Sequence, residues 1–311
     1  MSRLCPPPFA SSTRPPLGEC LVCAPATFGC CLAPSVVEVR ERITAVVNRL
    51  LAGELPPLAR AYVCGANLSA LAKKDGGLRP IACGDVWRRL AARCVCKDFA
   101  DRFREVLAPQ QFGVAVRGGT EVLVHASRLL FEEASQKSDF QLLKFDFKNA
   151  FNCVSRQAFL DEVATRFPSL FPFVSLCYGA SSVLLFGDRR LASTSGVQQG
   201  DPLRPLLFCL AIHPVLRRIS EECPGLESNS WYLDDGVVAG PSADVVRALS
   251  IIQAEGPARG MVLNASKSEV WSPSSRRKWP TFGTFLWKVS KCWALRLAPR
   301  VSARLFSRRR L

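Results

Sequence analysis

Three short acidic stretches constrain this chain more than any other feature of its sequence. They are Phe145–Asn152, Gln199–Leu203 and Tyr232–Gly236. Asp146 stands near the end of the apolar run Leu142–Phe147, which has the length of a buried strand. Asp234 and Asp235 fall in the tight turn of a predicted hairpin. A fold that brings Asp146 and Asp234 together creates an oxygen-ligand site for a hard cation such as Mg²⁺.

Carboxylates in this arrangement suit the transfer of a phosphoryl group, because two metal ions can clamp the attacking and leaving oxygens of an in-line displacement. Taken singly, each stretch has a simpler explanation. An aspartate at the end of a strand commonly forms a turn, and Asp-Asp-Gly is an ordinary solvated turn. Adjacent carboxylates also repel one another and favour hydration. The order of the stretches, with Gln-Gly-Asp-Pro between the other two, favours the catalytic interpretation.

The charge of the chain favours a polyanionic partner but is unevenly distributed. The 311 residues include 41 Lys and Arg and 26 Asp and Glu, which gives a net charge of +15. The segment 271–311 contains eleven of the basic residues and no acidic residue, so the rest of the chain is only mildly basic. Since 48% of the residues are hydrophobic, we expect the body of the chain to fold rather than stay disordered.

The cysteines and the apolar runs indicate in which cellular compartment we expect the chain. The fourteen cysteines show no compact framework spacing, which in a chain of this length indicates reduced, intracellular thiols and favours the nucleus or the cytoplasm. A zinc site at Cys20, Cys23, Cys30 and Cys31 is the alternative to a flexible leader, although neither histidine is near. No apolar run approaches the ~20 residues that span a bilayer, so we expect no membrane partner.

The order of the predicted elements indicates an α+β fold. The pattern over Leu68–Ile81 predicts two strands joined by a basic Asp-Gly turn. Asp85–Val106 is typical of one basic amphipathic helix, with Trp87 and Phe103 among its inward residues. Strands and helices alternate irregularly beyond this point, which argues against a doubly wound parallel sheet.

The acidic stretches resemble motifs A, B and C of reverse transcriptases, most closely those of non-LTR retroelements. Tyr-x-Asp-Asp at Tyr232–Asp235 is the form typical of this family, whereas RNA-dependent RNA polymerases more often carry Gly-Asp-Asp. The resemblance covers roughly Ala70 to Glu269. It implies a right-hand polymerase with a fingers-palm core, an antiparallel palm sheet and packed helices. It also implies RNA-templated DNA synthesis, in which dNTPs are added to a DNA primer 3′-OH with two Mg²⁺ ions, or with Mn²⁺ in their place.

The resemblance assigns roles to individual residues. The residues implied to act in catalysis are Asp146, Asp234, Asp235 and Lys267, of which the three carboxylates hold the metal ions. The residues implied to contact the incoming nucleotide are Lys73, Lys74, Arg79, Phe147, Phe151, Gln199 and Gly200. Phe151 is implied to be the aromatic steric gate against a ribose 2′-OH. Gly200 is implied to let the backbone approach a base pair, and Gln110–Val114 to support the template strand.

The predicted organisation has four parts. They are a flexible Pro/Cys-rich leader at 1–34, fingers at 35–140, a palm at 141–270 whose finger-like segment 171–215 carries motif B, and a basic tail at 271–311. We recognise no thumb in the tail, which either binds the phosphate backbone or is out-of-frame sequence of a decayed element. The alternative to the enzyme is a catalytically inactive, nucleic-acid-binding remnant of a retroelement. The sequence leaves the oligomeric state open.

Overall fold

The computed structural model describes residues 37–72, 76–134 and 136–273. The side chain of Arg79 is outside this description, as are Lys73 and Lys74. The predicted leader, its cysteine cluster and the predicted tail beyond residue 273 also lie outside the described residues.

The chain divides into two compact units, each built from two segments. The first unit comprises the chain up to Ala100 together with Arg156–Leu207. The second unit comprises Asp101–Ser155 and the chain from Phe208 onward. The three predicted metal-binding carboxylates all belong to the second unit.

Helices and strands are numbered here in chain order. The helices are α1 Val37–Leu51, α2 Pro57–Val63, α3 Val86–Asp98, α4 Ala100–Leu107, α5 Gly119–Ala134, α6 Ala150–Cys153, α7 Arg156–Arg166, α8 Phe171–Tyr178, α9 Arg204–Glu222 and α10 Ser242–Glu255. The strands are β1 Ala66–Ala72, β2 Leu78–Gly84, β3 Gln141–Phe145, β4 Ser182–Phe186, β5 Arg189–Ser193, β6 Ser228–Tyr232, β7 Asp235–Gly240 and β8 Glu269–Trp271.

A four-stranded sheet with the order β2-β1-β4-β5 organises the first unit. β1 and β2 pair antiparallel from Ala66 opposite Gly84 to Ala72 opposite Leu78. β4 pairs antiparallel with β5 and parallel with β1. The hairpin predicted over Leu68–Ile81 is confirmed, and its strands are longer than the pattern indicated.

The single helix predicted over Asp85–Val106 is wrong, because the chain leaves the helical conformation at Phe99 and forms α3 and α4. The predicted start is correct. The Asp85 side chain accepts a hydrogen bond from the main-chain N–H of Trp87 at 2.8 Å and so caps α3. α3 buries Arg88 in its interior face, whereas Trp87 is only half-buried. The orientation of α3 therefore depends on a buried charge that the apolar pattern did not indicate.

An antiparallel sheet with the order β6-β7-β3-β8 organises the second unit. β3 lies between two neighbours, and four of its five residues are buried, including Lys144. Its core on the α5 side consists of Leu123, Ala134, Phe140, Leu142, Val237 and Ala239. Trp271, at which the predicted tail begins, is the last residue of β8, and its ring centroid lies 4.7 Å from that of Phe131. The sheet therefore extends one residue into the predicted tail.

The predicted α+β class is confirmed, and so is the predicted antiparallel sheet in the second unit, which contains the three carboxylates. β3 ends at Phe145, so Asp146 directly follows the strand, which ends two residues earlier than the apolar run Leu142–Phe147. Among the described helices, none combines the length and the apolar character that a bilayer crossing requires.

Candidate active site

Asp146 and the turn that carries Asp234 lie at the same end of the antiparallel sheet. β3 pairs with β7 up to its last residue, Phe145, so Asp146 emerges beside Asp235, the first residue of β7. A two-residue turn, Leu233-Asp234, joins β6 to β7. All three carboxylates are half-buried. The sheet register thus brings the three predicted metal-binding residues together, although they remain predictions as ligands.

The turn itself differs from the prediction in one respect. Asp235 belongs to β7, so only Asp234 of the acidic pair is a turn residue. The other turn residue, Leu233, has a φ of 59°, in the left-handed region that bulky side chains rarely adopt. A positive φ at the first position of a two-residue hairpin turn matches the twist of the strands. The positive φ therefore suits the hairpin, although leucine is a residue type that rarely adopts it.

The segment Asn264–Ser268 is attached to the main chain of Asp146. The N–H of Asn264 donates to the carbonyl of Asp146 at 2.8 Å, and the N–H of Asp146 donates to Ser268 Oγ at 3.3 Å. Within this segment the N–H of Lys267 donates to the carbonyl of Asn264 at 3.0 Å. Lys267 is exposed. The predicted lysine therefore stands on a short turn that is fixed to the main chain of Asp146, a predicted metal ligand.

Asp146 and Asp234 are ligands of the type that Mg²⁺ prefers, and a site built on them would need further oxygens from substrate or water. No cluster of three or more His, Cys, Asp or Glu side chains in the described part of the chain has metal-binding geometry. Mg²⁺ in phosphoryl-transfer sites is usually held by one or two carboxylates together with phosphate and water oxygens. Asp146 and Asp234 meet that requirement.

Burial, together with the negative charge of Asp234, raises the pKa of Cys209 well above its usual range, so this nearby thiol stays protonated.

Two predicted nucleotide-binding phenylalanines occupy different environments. Phe151 lies on α6 and is half-buried, and its ring centroid is 4.7 Å from that of Phe208. Phe147 is only 7% exposed, and its ring stacks on Trp231 at 6.0 Å with an angle of 19°. The Phe147 side chain is thus a core side chain, which leaves its main chain for any contact with a nucleotide.

The predicted motif B residues belong to the first unit, in the segment that precedes α9. Gly200 donates its N–H to the carbonyl of Ala82 on β2 at 3.1 Å. A Cβ atom on Gly200 would lie 2.6 Å from that carbonyl oxygen and 3.3 Å from the Cα of Cys83, so only glycine fits. Gln199 is half-buried. The resemblance implies an approach of Gly200 to a base pair, which stays a prediction, and the close approach seen here is to β2 of its own unit.

Asp201, in the middle of motif B, is the centre of a buried polar network. Its carboxylate accepts hydrogen bonds from Arg88 Nη2, from the Tyr178 hydroxyl and from the N–H of Leu203, each at 2.8 Å. Arg88 also donates to the carbonyl of Cys64 at 3.0 Å. Burial by itself lowers the pKa of Arg88, but nearby groups that include Tyr178 and Asp201 raise it on balance, so the guanidinium is charged.

Comparison with known families decides which protein class carries this arrangement. The family described as reverse transcriptase (RNA-dependent DNA polymerase) matches residues 71–286, which is more than half of the chain. The chain belongs to the reverse transcriptase family. The family resemblance carried by the acidic stretches is thereby confirmed.

A retroelement protein and two telomerases illustrate what this reverse transcriptase domain is similar to. The retrotransposable element SLACS 132 kDa protein of Trypanosoma brucei gambiense is 29% identical over 239 residues, which cover 75% of this chain and 20% of that protein. The present chain therefore spans about a fifth of the length of that relative.

The telomerase similarities concern the fold. Apo telomerase from Candida tropicalis, truncated from its C-terminal domain, superimposes with a TM-score of 0.54 at 12% identity, covering 70% of this chain and 51% of that one. Telomerase from Candida albicans in complex with a telomeric RNA fragment gives a TM-score of 0.52 at 12% identity, covering 72% and 44%. These similarities support the predicted right-hand polymerase fold.

Sequence reasoning missed two contributors to this reverse transcriptase domain. Arg88 has the appearance of a solvent-facing charge on a basic helix, yet it is 1% exposed and holds Asp201. Gln111, which belongs to the segment implied to support the template strand, is 3% exposed and bonds the main chain of Leu233. In each case the only signal in the sequence was a polar residue beside apolar ones.

Proposed function

We propose that this chain is the fingers-palm core of an RNA-directed DNA polymerase of retroelement origin. In this proposal the sheet of the second unit belongs to the palm, and the β1–β2 hairpin of the first unit belongs to the fingers. The observation that carries the proposal is the position of Asp146 and the Leu233-Asp234 turn at one end of an antiparallel sheet, within a domain of the reverse transcriptase family. RNA as template, DNA as primer and dNTPs as substrates follow from the family.

In this proposal Asp146 and Asp234 hold two Mg²⁺ ions, and Asp235 adds negative charge beside them. Bound ions of this kind neutralise phosphate charge and favour ionisation of the attacking hydroxyl. The protein then positions the primer 3′-OH for in-line attack on the α-phosphate. Such positioning supplies a large part of the lowering of the activation barrier. Lys267, exposed on the turn fixed to Asp146, neutralises or protonates the departing pyrophosphate.

The remaining predicted residues act on the nucleotide. Lys73, Lys74 and Arg79 hold the β- and γ-phosphates through charge-assisted hydrogen bonds. The first two lie between β1 and β2 in the sequence, and Arg79 lies near the start of β2. Phe151 excludes a ribose 2′-OH by its bulk. The packing of Phe151 against Phe208 supports this role, because a ring fixed on one side resists displacement by a clashing hydroxyl.

A nucleic-acid-binding remnant without catalysis is the second candidate. The observation that favours it is the basic segment 271–311, whose eleven Lys and Arg and absence of acidic residues suit sequence-independent phosphate binding. A remnant binds RNA and DNA but extends no primer.

Primer extension on an RNA template with purified chain, dNTPs and Mg²⁺ separates the two candidates. We expect extension by the parent chain, and loss of extension to the detection limit in Asp234→Asn, because the site loses a charge it needs to hold Mg²⁺. The matched control is Asp188→Asn, at an exposed residue between β4 and β5, with parental activity expected. Binding without extension by the parent favours the remnant. Parental extension by Asp234→Asn contradicts the metal assignment.

A further inference from the structure

The backbone of the Leu233-Asp234 turn needs an external support. Leu233 has a φ of 59°, and a leucine in the left-handed region is disfavoured by contact of its Cβ with the backbone. Glycine or asparagine is the usual residue for such a position. The next residue, Asp234, takes its position from this peptide unit. A relaxation of Leu233 to a negative φ therefore moves the carboxylate that the proposed reaction depends on.

The side chain of Gln111 provides that support by bonding both polar groups of one residue. Gln111 Nε2 donates to the carbonyl of Leu233 at 3.0 Å, and the N–H of Leu233 donates to Gln111 Oε1 at 3.1 Å. A carboxamide carries both the donor and the acceptor that this pairing requires. Gln111 is 3% exposed, so water does not compete freely for these bonds.

Gln111 is itself held in place by main-chain pairing along β6. It forms a parallel bridge with Trp231. The N–H of Trp231 donates to the carbonyl of Gln110, and the N–H of Phe112 donates to the carbonyl of Trp231, both at 2.8 Å. The backbone of Gln111 is thus fixed beside Trp231. Its side chain reaches Leu233, two residues further along the chain.

Gly113 completes the support from the same segment. A Cβ atom at Gly113 would lie 2.6 Å from Leu233 Cδ2 and 2.9 Å from the backbone nitrogen of Leu233. Leu233 therefore packs directly on the backbone of Gly113. The turn is held by two hydrogen bonds on its polar groups and by close packing beneath.

We propose that Gln111 is a positioning residue of the polymerase reaction, which keeps Leu233 left-handed and so fixes Asp234 relative to Asp146. This inference rests on the proposed function, because it takes Asp234 as a metal ligand. Mg²⁺ tolerates little departure from octahedral geometry, and a displacement of about 1 Å in a reacting site can reduce the rate about 100-fold. Removal of the Gln111 bonds therefore reduces turnover and weakens metal binding together.

The test uses Gln111→Met and Gln111→Leu, which both abolish the two hydrogen bonds, the first with nearly unchanged side-chain volume. We expect primer extension to fall about 10- to 100-fold in both, with a several-fold higher Mg²⁺ concentration for half-maximal rate. The KM for dNTP at saturating Mg²⁺ should change little. The matched control is Gln157→Met, because this exposed amide bonds the side chain of Asp161 and lies outside the segments assigned to catalysis or binding. Its extension rate and Mg²⁺ dependence should be parental.

Two further measurements separate positioning from a general loss of structure. Amide exchange at Leu233 should accelerate at least about tenfold in Gln111→Met, since its acceptor is removed, and stay unchanged in Gln157→Met. Leu233→Gly added to Gln111→Met should restore part of the rate, since glycine adopts a positive φ without a steric penalty. Parental rate, Mg²⁺ dependence and Leu233 exchange in Gln111→Met overturn the inference while the proposed function stands. A parent chain that extends no primer overturns the proposed function, and the positioning role with it.

Discussion

Replacing Asp201 by alanine removes the acceptor of three buried hydrogen bonds. The carboxylate is bonded by Arg88 Nη2, the Tyr178 hydroxyl and the N–H of Leu203, all at 2.8 Å. Arg88 and Tyr178 are 1% and 2% exposed, so neither reaches water when the carboxylate is removed. We expect Asp201→Ala to destabilise the first unit strongly.

The expected loss of unfolding free energy follows from the interactions that the former partners of Asp201 keep or lose. Breaking a buried ion pair by removing one partner costs about 3–5 kcal/mol, because the other charge stays buried. Arg88 still donates to the carbonyl of Cys64 at 3.0 Å and lies 4.7 Å from the ring of Tyr178, which favours the lower end, about 3 kcal/mol. Removing the acceptor of the Leu203 N–H and that of the Tyr178 hydroxyl adds about 1 kcal/mol for each. The total of about 5 kcal/mol corresponds to a fall of roughly 10–20 °C in the unfolding midpoint.

Chemical and thermal unfolding of purified variants measures this effect. The control is Glu221→Ala, which removes an exposed ion pair with Arg217 and should cost less than about 1 kcal/mol. Arg88→Met combined with Asp201→Ala removes the stranded charge, so the double variant should be more stable than Asp201→Ala alone. A decrease in stability below about 1 kcal/mol in Asp201→Ala, or a double variant less stable than the single one, refutes the reasoning.

Two further predictions concern substrate choice and nucleic-acid binding. Phe151→Ala should raise incorporation of ribonucleotides relative to deoxynucleotides about tenfold or more, because the clash with the 2′-OH is removed. Phe151→Tyr keeps the bulk and should keep the ratio measured in single-nucleotide extension, whereas an unchanged ratio in Phe151→Ala would indicate a packing role. Deleting 274–311, which retains the described strand β8, should weaken RNA and DNA binding without sequence preference. The slope of log K against log salt should flatten by about 0.7–0.9 for each phosphate that the shortened chain no longer neutralises, and equal slopes would exclude a binding role.

The features that were predictable from sequence are those that short-range patterns encode. Apolar runs located β3 and the β6–β7 hairpin, and the position of Asp146 at the end of one and Asp234 in the turn of the other followed directly. The hairpin of β1 and β2 followed from an Asp-Gly turn between apolar residues. The helix start at Asp85 followed from a capping preference. Each of these signals lies within a few residues of the element it specifies.

The features that were not predictable depend on partners far away in sequence. Gln111 bonds a residue 122 positions along the chain, and Arg88 bonds Asp201 at a separation of 113. The apolar pattern of α3 favoured Trp87 as an inward residue, because a pattern of hydrophobicity has no means of indicating that a guanidinium will meet a buried carboxylate. Pairing across a fold is set by strand register and helix rotation, which local composition does not determine.

The support of the Leu233-Asp234 turn also bears on the choice between polymerase and remnant. Binding of nucleic acid through its phosphates draws on positive charge and does not depend on the backbone conformation of one turn. A left-handed leucine is unfavourable by itself, and such conformations are found mainly where a functional site requires them. Here the leucine is matched by the buried amide of Gln111 and by the bare backbone of Gly113. An unfavourable backbone conformation at this turn is useful for placing a carboxylate, whereas phosphate binding does not require it. The turn therefore favours the polymerase over the non-catalytic remnant.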